Sequence, residues 1–346
     1  MHVAFRNIGM IREASLDLNG LCVIAGENDT SKSAVGKTLF SLIKSFQGPT
    51  DQNQEKKLED FKVYLNALFS GEFINRYIDE PGRIIVSGPG EGPVANLKMN
   101  GELSVQLAGE LPFRDAAYVE NPNVLRLAGF LPLSESMAAR TPRDDREARL
   151  LSLLFPPHIQ DLLGKLREPE KLATGETLEF LARIIRGNVR YDPEVHDFLY
   201  RKKGADGENE AVYRSLNMAA GVKAFGVLEV LYRAGRLNQD LLLILDEPEV
   251  HLHPKWQLRY AELLARLTRE VGLTVLLTSH SPYFLEALAL YSEVHELKDR
   301  SSFYLARLNE DGLTSALDNV TDHLEDIFDA LNEPFQELEK LSMDLV

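Results

Sequence analysis

Two adjacent carboxylates, Asp246 and Glu247, stand directly after the apolar run LLLIL and before Pro248. A run of that length with no polar alternation reads as a strand buried on both faces. The acids then lie at the carboxyl end of a central strand, the edge at which open α/β sheets bind ligands. Neighbouring carboxylates there can hold a metal ion and polarise a water. A helical pattern over residues 254–270 and a second apolar strand, residues 274–278, follow, and the strand runs into Ser279-His280-Ser281-Pro282. Strand, helix and strand make one right-handed crossover, which brings Asp246, Glu247 and His280 to the same sheet edge. Either piece by itself is also ordinary turn chemistry.

A third segment shifts that balance. In GENDTSKSAVGKTLFSLIKSF, residues 26–46, a glycine directly after an apolar strand leads through polar residues into a helical pattern, the layout of a phosphate-binding loop. The general pattern is G-x-x-x-x-G-K-[ST]: backbone N–H groups cradle phosphates, the lysine reaches the β and γ phosphates, and the hydroxyl binds Mg²⁺. Gly26-Glu27-Asn28-Asp29-Thr30-Ser31-Lys32-Ser33, followed by Ala34, matches except at the sixth position, where Ser31 replaces glycine. The nearby Gly36-Lys37-Thr38 does not repair the match, because its first position would be Ser31. If the sixth position needs φ > 0, a side chain there costs roughly 1 to 2 kcal/mol, equivalent to about a tenfold loss of nucleotide affinity. Taken alone, Ser31 and its neighbours are also good helix caps. Taken with Asp246-Glu247 and His280, in that chain order, they define a nucleotide site.

The elements that must position these residues are an α/β set. Residues 3–5, 14–18 and 21–25 read as three short strands, the last feeding the phosphate loop. Helical spacing over residues 50–80 is followed by strands at 83–86, 94–99, 102–107 and 116–119, expected as an antiparallel subdomain beside the main sheet. Residues 124–186 read as helical, with a charged, exposed segment at 140–149. Short strands resume at 189–191, 198–201 and 212–213; a helix over 222–234 is closed by Gly235. From Phe303 one strand-like stretch precedes an amphipathic helix over 322–341. The expected organisation is one domain over 1–346: a first lobe 1–123 with the antiparallel part at about 80–120, a helical insertion at about 124–210, and a second lobe 211–346.

The composition is that of a globular chain: 346 residues, 44% apolar and 26% charged. The lone cysteine, Cys22, falls in an apolar strand pattern and reads as a small core residue in a cytoplasmic protein. No stretch approaches the roughly 18 apolar residues of a membrane span, and the start has no signal-peptide core. A net charge of −15 disfavours broad nucleic-acid binding. Residues 183–190 and 201–203 are the basic segments, and interspersed acids make each a solvated face. His251 and His253, with Glu249, form an H-x-H pattern that could bind zinc, but no cysteine supports such a site. Ser279 and Ser281 lack the G-x-S-x-G elbow of a hydrolase.

On FRNIGMIREASLDL, GENDTSKS, NMAAGVKAF, LLLILDEPEVHLHP and LLTSHSPYFLEAL, the chain resembles an ABC/SMC-type P-loop ATPase head of the branch containing the OLD and RecF-like proteins. It is similar to the ATPase subunits of bacterial anti-phage systems such as Septu. The resemblance implies an ABC-ATPase-like head with a mixed central sheet, binding ATP and Mg²⁺. Gly26, Asn28, Thr30, Ser31, Lys32, Ser33 and Ala34 would cradle the phosphates. Ser33 and Asp246 would hold Mg²⁺, Glu247 would orient the attacking water, and His280 would sense the γ-phosphate. Residues 218–223 align with the signature motif, so Gly221 and Lys223 would cap ATP bound by a second subunit; His251 and His253 fall in the loop that crosses such an interface. Ala219 replaces the usual signature serine, and the glutamine expected near Val119, Glu120 and Asn121 is absent.

What this implies is a homodimer or larger assembly with slow turnover, serving antiviral defence by controlling a separately encoded effector, a nuclease or toxin. OLD nucleases append a nuclease domain for which too little chain follows His280. A RecF-like DNA repair ATPase and a nucleotide-gated scaffold that inhibits a partner toxin are the other readings.

Overall fold

The computed structural model describes residues 1–48, 54–69, 73–74, 80–88, 92–100, 102–130, 156–172, 174–205 and 207–332, with 338, 340, 341 and 343. The charged segment 140–149, parts of the helical stretch 50–80 and much of the far end of the helix expected over 322–341 lie outside the described residues.

Strands β1 (His2–Ile8), β2 (Ile11–Asp17) and β3 (Leu21–Gly26) lead into α1 (Lys32–Ser45). After α2 (Gln54–Phe69) come β4 (Gly82–Ser87), β5 (Pro93–Asn100), β6 (Glu102–Leu107) and β7 (Asp115–Val119). A 3-10 segment, Pro122–Phe130, precedes α3 (Pro157–Leu166) and α4 (Glu176–Ile185). Strands β8 (Gly187–Asp192), β9 (Asp197–Lys203) and β10 (Glu210–Arg214) follow. Then come α5 (Ala220–Arg233), β11 (Leu241–Asp246), α6 (Pro254–Val271), β12 (Thr274–Ser279) and α7 (Pro282–Val294). Last are β13 (Ser301–Leu308), β14 (Ser315–Asn319) and α8 (Glu325–Leu331).

Eleven strands form one mixed sheet in the order β6-β5-β4-β1-β2-β14-β13-β3-β12-β11-β7, and β8, β9 and β10 form a separate antiparallel sheet. Strands β13, β3, β12, β11 and β7 run parallel, whereas β2, β1, β4, β5 and β6 are antiparallel. Strand β14 joins the two halves, antiparallel to β13 and parallel to β2. The α/β class with a mixed central sheet is the expected one. Two details differ from the sequence reading. Strand β7 closes the parallel edge instead of the antiparallel part, because Asp115–Val119 pairs with β11. The stretch after Phe303 holds two strands, since a tight turn at Gly312 folds the chain back on itself. The short strands expected at 189–191, 198–201 and 212–213 are β8, β9 and β10, which pair with one another.

The unbroken apolar runs are explained by layers on both sides of the sheet. Leu21, Val23, Ala25, Leu243, Leu245, Val275 and Leu277 pack into one core with α5, α6 and α7. Cys22, Ile24, Leu242, Ile244 and Leu276 point the other way into a core with Val35, Leu39 and Phe40 of α1. Burial pushes the Cys22 thiol pKa up, so it is an inert core residue. Gly36 is the closest point between α1 and β11: a Cβ there would lie 2.8 Å from the Ile244 side chain. Helix α5 stops in a Schellman arrangement, with the Gly235 N–H (φ 67°) donating to Tyr232 O and the Arg236 N–H to Leu231 O.

A cluster of four charges pins α1 and α3 to β7. Lys44 Nζ lies 2.9 Å from Asp115 and 2.7 Å from Asp161, and Lys165 bridges the same two carboxylates. Burial opposes ionisation of Asp115, but Lys165 and Lys44 overcome it and hold its carboxyl below the usual range. A depressed folded pKa gives stability that is present above the unfolded value of about 3.9 and is lost as pH falls through the folded value. Asp115→Asn is therefore expected to cost about 3 kcal/mol at pH 7, with the difference from wild type narrowing below about pH 4. Urea midpoints across that range check it.

Candidate functional site

Between β3 and α1 the backbone turns tightly around an anion-sized cradle. Gly26 has φ 150°, and a Cβ there would lie 2.6 Å from Ala306 O. Asp29 (φ 64°) and Ser31 (φ 59°, ψ 24°) both adopt the left-handed conformation. Thr30 Oγ1 donates to Glu27 O at 2.8 Å and Lys32 Nζ to the same carbonyl at 2.5 Å, which holds the loop closed on itself. Ser31 makes no side-chain cap bond, and the first turn of α1 contains no acid, so its amino end offers uncompensated N–H dipoles. Lys32 is 4% exposed. Burial lowers its pKa against the opposing pull of Glu247 and Asp246.

Asp246 is gripped from three elements. Ser33 Oγ (2.9 Å) and Thr278 Oγ1 (2.6 Å) donate to Oδ1, and Tyr118 Oη (2.9 Å) donates to Oδ2. The parallel register sets this up: Asp246 pairs with Thr278 across β11 and β12, and Ile244 with Tyr118 across β11 and β7. Tyr118 is fully buried, and burial beside Asp246 raises its pKa well above the ordinary value. Thr278 also accepts from the Glu247 N–H at 3.0 Å, so one hydroxyl orients both neighbours. Neither Tyr118 nor Thr278 was singled out in the sequence. Tyr118 is the one polar-tipped residue in the apolar run Ala116–Val119, and Thr278 the last residue before Ser279-His280.

Glu247 takes φ 46°, a left-handed conformation that costs a non-glycine residue about 1 to 2 kcal/mol. Its Oε1 lies 3.8 Å from Lys32 Nζ and 3.2 Å from His280 Nδ1. His280 is held between the end of β12 and α7, whose first turn is capped by Ser281 Oγ accepting from the Phe284 N–H. The structure thus brings Lys32, Ser33, Asp246, Glu247 and His280 into one cluster, with Gly26, Thr30 and Ser31 in the loop that frames it and Ala34 in the first turn of α1; Asn28 is exposed on that loop. A helix amino terminus and ammonium suit a phosphate. Ser33 and Asp246 offer convergent hard oxygens of the kind Mg²⁺ takes, and Glu247 beside His280 can handle a water proton.

Gly221 and Lys223 are not part of this cluster. A Cβ on Gly221 would lie 2.4 Å from the Trp256 ring, so the glycine lets α5 meet α6. Lys223 is 4% exposed and donates to Asn123 Oδ1 at 3.1 Å. Within this chain the Lys223 ammonium is therefore turned inward. Glu120 lies 3.2 Å from His158 Nε2, and that hydrogen bond lowers its carboxyl pKa. His253 Nδ1 caps α6 by accepting from the Lys255 N–H. Among the described residues no three His, Cys, Asp or Glu side chains gather as a metal site.

Residues 179–286, from α4 through the start of α7, match the family model described as "AAA domain, putative AbiEii toxin, Type IV TA system". No functionally curated protein matches the sequence. Among solved structures, the chain is similar to the SMC head domain from Thermotoga maritima, at 12% identity and TM-score 0.50 over 92% of this chain and 98% of that one. It is also similar to an Smc head domain with a coiled coil and joint derived from Pyrococcus yayanosii, at 11% identity and TM-score 0.51 over 96% and 99%. An SmcHead bound to the C-winged helix domain of ScpA gives 12% identity and TM-score 0.50 over 92% and 96%. At these identities the likeness is one of fold. With the mixed sheet and the loop between β3 and α1, it makes the chain's architecture that of an ABC-type P-loop ATPase head.

Proposed function

We propose that the chain binds ATP with Mg²⁺ in this cleft and hydrolyses it. The convergence of Lys32, Asp246, Glu247 and His280 on one sheet edge carries the reading. Residues 26–34 and the amino end of α1 receive the phosphate chain, and Lys32 neutralises the β and γ groups. Ser33 and Asp246 hold Mg²⁺, which when bound draws charge from the terminal phosphate oxygens. Lys32 is shared between Glu27 O and Glu247. A phosphate in the loop competes for that ammonium, leaving the Glu247 carboxylate to align the attacking water. His280, beside it, reports on the γ-phosphate.

Head-to-head dimerisation around two ATP molecules would complete the site from the surface near Ala219 and Gly221, with the exposed turn at Val250 and His251 crossing the interface. The defence reading extends this: a cytoplasmic sensor of the OLD/RecF-like, Septu-like branch whose ATP state controls a separate nuclease or toxin effector. The matched family's description, which names a toxin of a type IV toxin–antitoxin system, supports a setting of that kind. No described helix is long and apolar enough to cross a membrane. A second reading, a nucleotide-gated scaffold that scarcely turns over, is favoured by the inward Lys223 together with Ala219.

Purified protein with Mg²⁺ decides among these. Lys32→Ala is expected to weaken ATP binding by about 100-fold, measured by calorimetry. Glu247→Gln keeps ATP affinity, loses about 10²- to 10³-fold in turnover, and accumulates as an ATP-bound dimer in sedimentation. Wild-type binding without turnover selects the scaffold, and no binding at all sinks both readings.

Ser31 occupies the left-handed region, where a side chain is strained. Ser31→Gly relieves about 1 to 2 kcal/mol of strain and loses about 0.5 to 1 to backbone entropy. A melting point higher by about 2 °C with ATP affinity unchanged within about twofold is the expected result.

A further inference from the structure

Glu249 is a buried acid that the mechanism above leaves unused. It sits on the loop after β11, 1% exposed, directly before the exposed pair Val250 and His251. Its carboxyl does not point at Lys32 or Asp246. It reaches across to the next strand, where Oε1 accepts from Ser279 Oγ at 2.5 Å and from the backbone N–H of His280 at 3.3 Å. Oε2 is buried with no hydrogen-bond partner among the described residues. Gln257 of α6 adds a second tie between the same two loops: its Nε2 donates to Leu252 O at 3.2 Å and Glu249 O at 3.5 Å, and its Oε1 accepts from Ser281 Oγ at 2.9 Å. His280 is thus bracketed by Ser279 and Ser281, both held from the Glu247–His253 side.

We propose that Glu249 is a positioning residue for His280: by gripping Ser279 and the His280 N–H it fixes where the imidazole stands relative to Glu247. The exposed turn at Val250 and His251 follows it directly, so the same carboxyl links that turn to the imidazole. Three observations support the assignment. Glu249 forms no ion pair within 4 Å among the described residues, so its direct contacts are the Ser279 and His280 hydrogen bonds. Burial raises the Glu249 pKa, with the Ser279 and His280 contacts opposing. The His280 Nδ1 to Glu247 distance of 3.2 Å lacks hydrogen-bond alignment, leaving the backbone as the element that places the ring.

The proposal's catalytic arm rests on the ATPase reading, and the test separates the two. The His280 imidazole resonances, identified by their loss in His280→Asn, are followed by NMR without nucleotide in Glu249→Ala, Glu249→Gln and Ser279→Ala. Steady-state ATP turnover is measured beside ATP affinity. Glu249→Ala and Ser279→Ala are expected to shift or broaden the His280 signals and to lower kcat by about tenfold or more with Kd for ATP within about twofold. Glu249→Gln, neutral and equally long, is expected to restore both to near wild type. Unmoved His280 signals in Glu249→Ala, or Glu249→Gln as damaging as Glu249→Ala, overturn the proposal. If Glu249→Ala does not fold, Ser279→Ala and Glu249→Gln decide by the same signals. Absent turnover in wild type removes the ATPase reading and leaves the spectroscopic arm to decide Glu249.

Discussion

The arrangement depends on one carboxylate. Asp246 is held by hydroxyls from α1, β12 and β7, so four elements meet at a single anionic side chain near a sheet edge. Three donors hold it in place, and fixing it also fixes Ser33 at the mouth of the loop and Thr278, which in turn orients Glu247. The need to bring Ser33 this close sets the tight approach of α1 to β11 at Gly36. The strained backbone of Glu247 is the cost of turning the next side chain back toward Lys32 and His280 instead of letting it continue along the strand.

Much of this is legible in the sequence. Apolar runs without alternation mark β3, β11 and β12 because helices cover both faces, and a strand–helix–strand unit has only one hand, so the meeting of Glu247 and His280 followed from order alone. What local sequence does not encode is which strands become neighbours. Asp115–Val119 looks like another strand of the preceding antiparallel series, yet its partner is β11, more than a hundred residues away. Tyr118 therefore read as core, and only that pairing delivers its hydroxyl to Asp246. The same limit applies to Lys223, whose inward turn depends on Asn123, distant in the chain. Ser31 shows the opposite case, since the mismatch itself identified a backbone position that needs φ > 0.

Charge is distributed by function as well as by solubility. The buried groups that are fully paired, such as Lys44, Asp115, Asp161 and Lys165, lie away from the cleft and join helices to the sheet. In and near the cleft, pairing is deliberately incomplete: Lys32 is 3.8 Å from Glu247, and Glu249 keeps a bare oxygen. Groups left short of partners are the ones able to exchange them when a ligand arrives.

Strand β3, which ends in the phosphate loop, lies between β12 and β13, and β2 pairs with β14. Both hydrogen-bonding edges of β3 are thus filled by segments translated some 250 residues later. During synthesis at ~5 to 20 residues per second, β3 emerges with both edges open and β2 with one, and they wait many seconds for partners. Throughout that wait β3 is exposed apolar β-sequence on the ribosome, which makes the nascent chain a natural client for chaperones. The loop between β3 and α1 gains its native frame only after residues 274–308 have left the exit tunnel, so nucleotide competence arrives late and all at once, rather than growing with the chain.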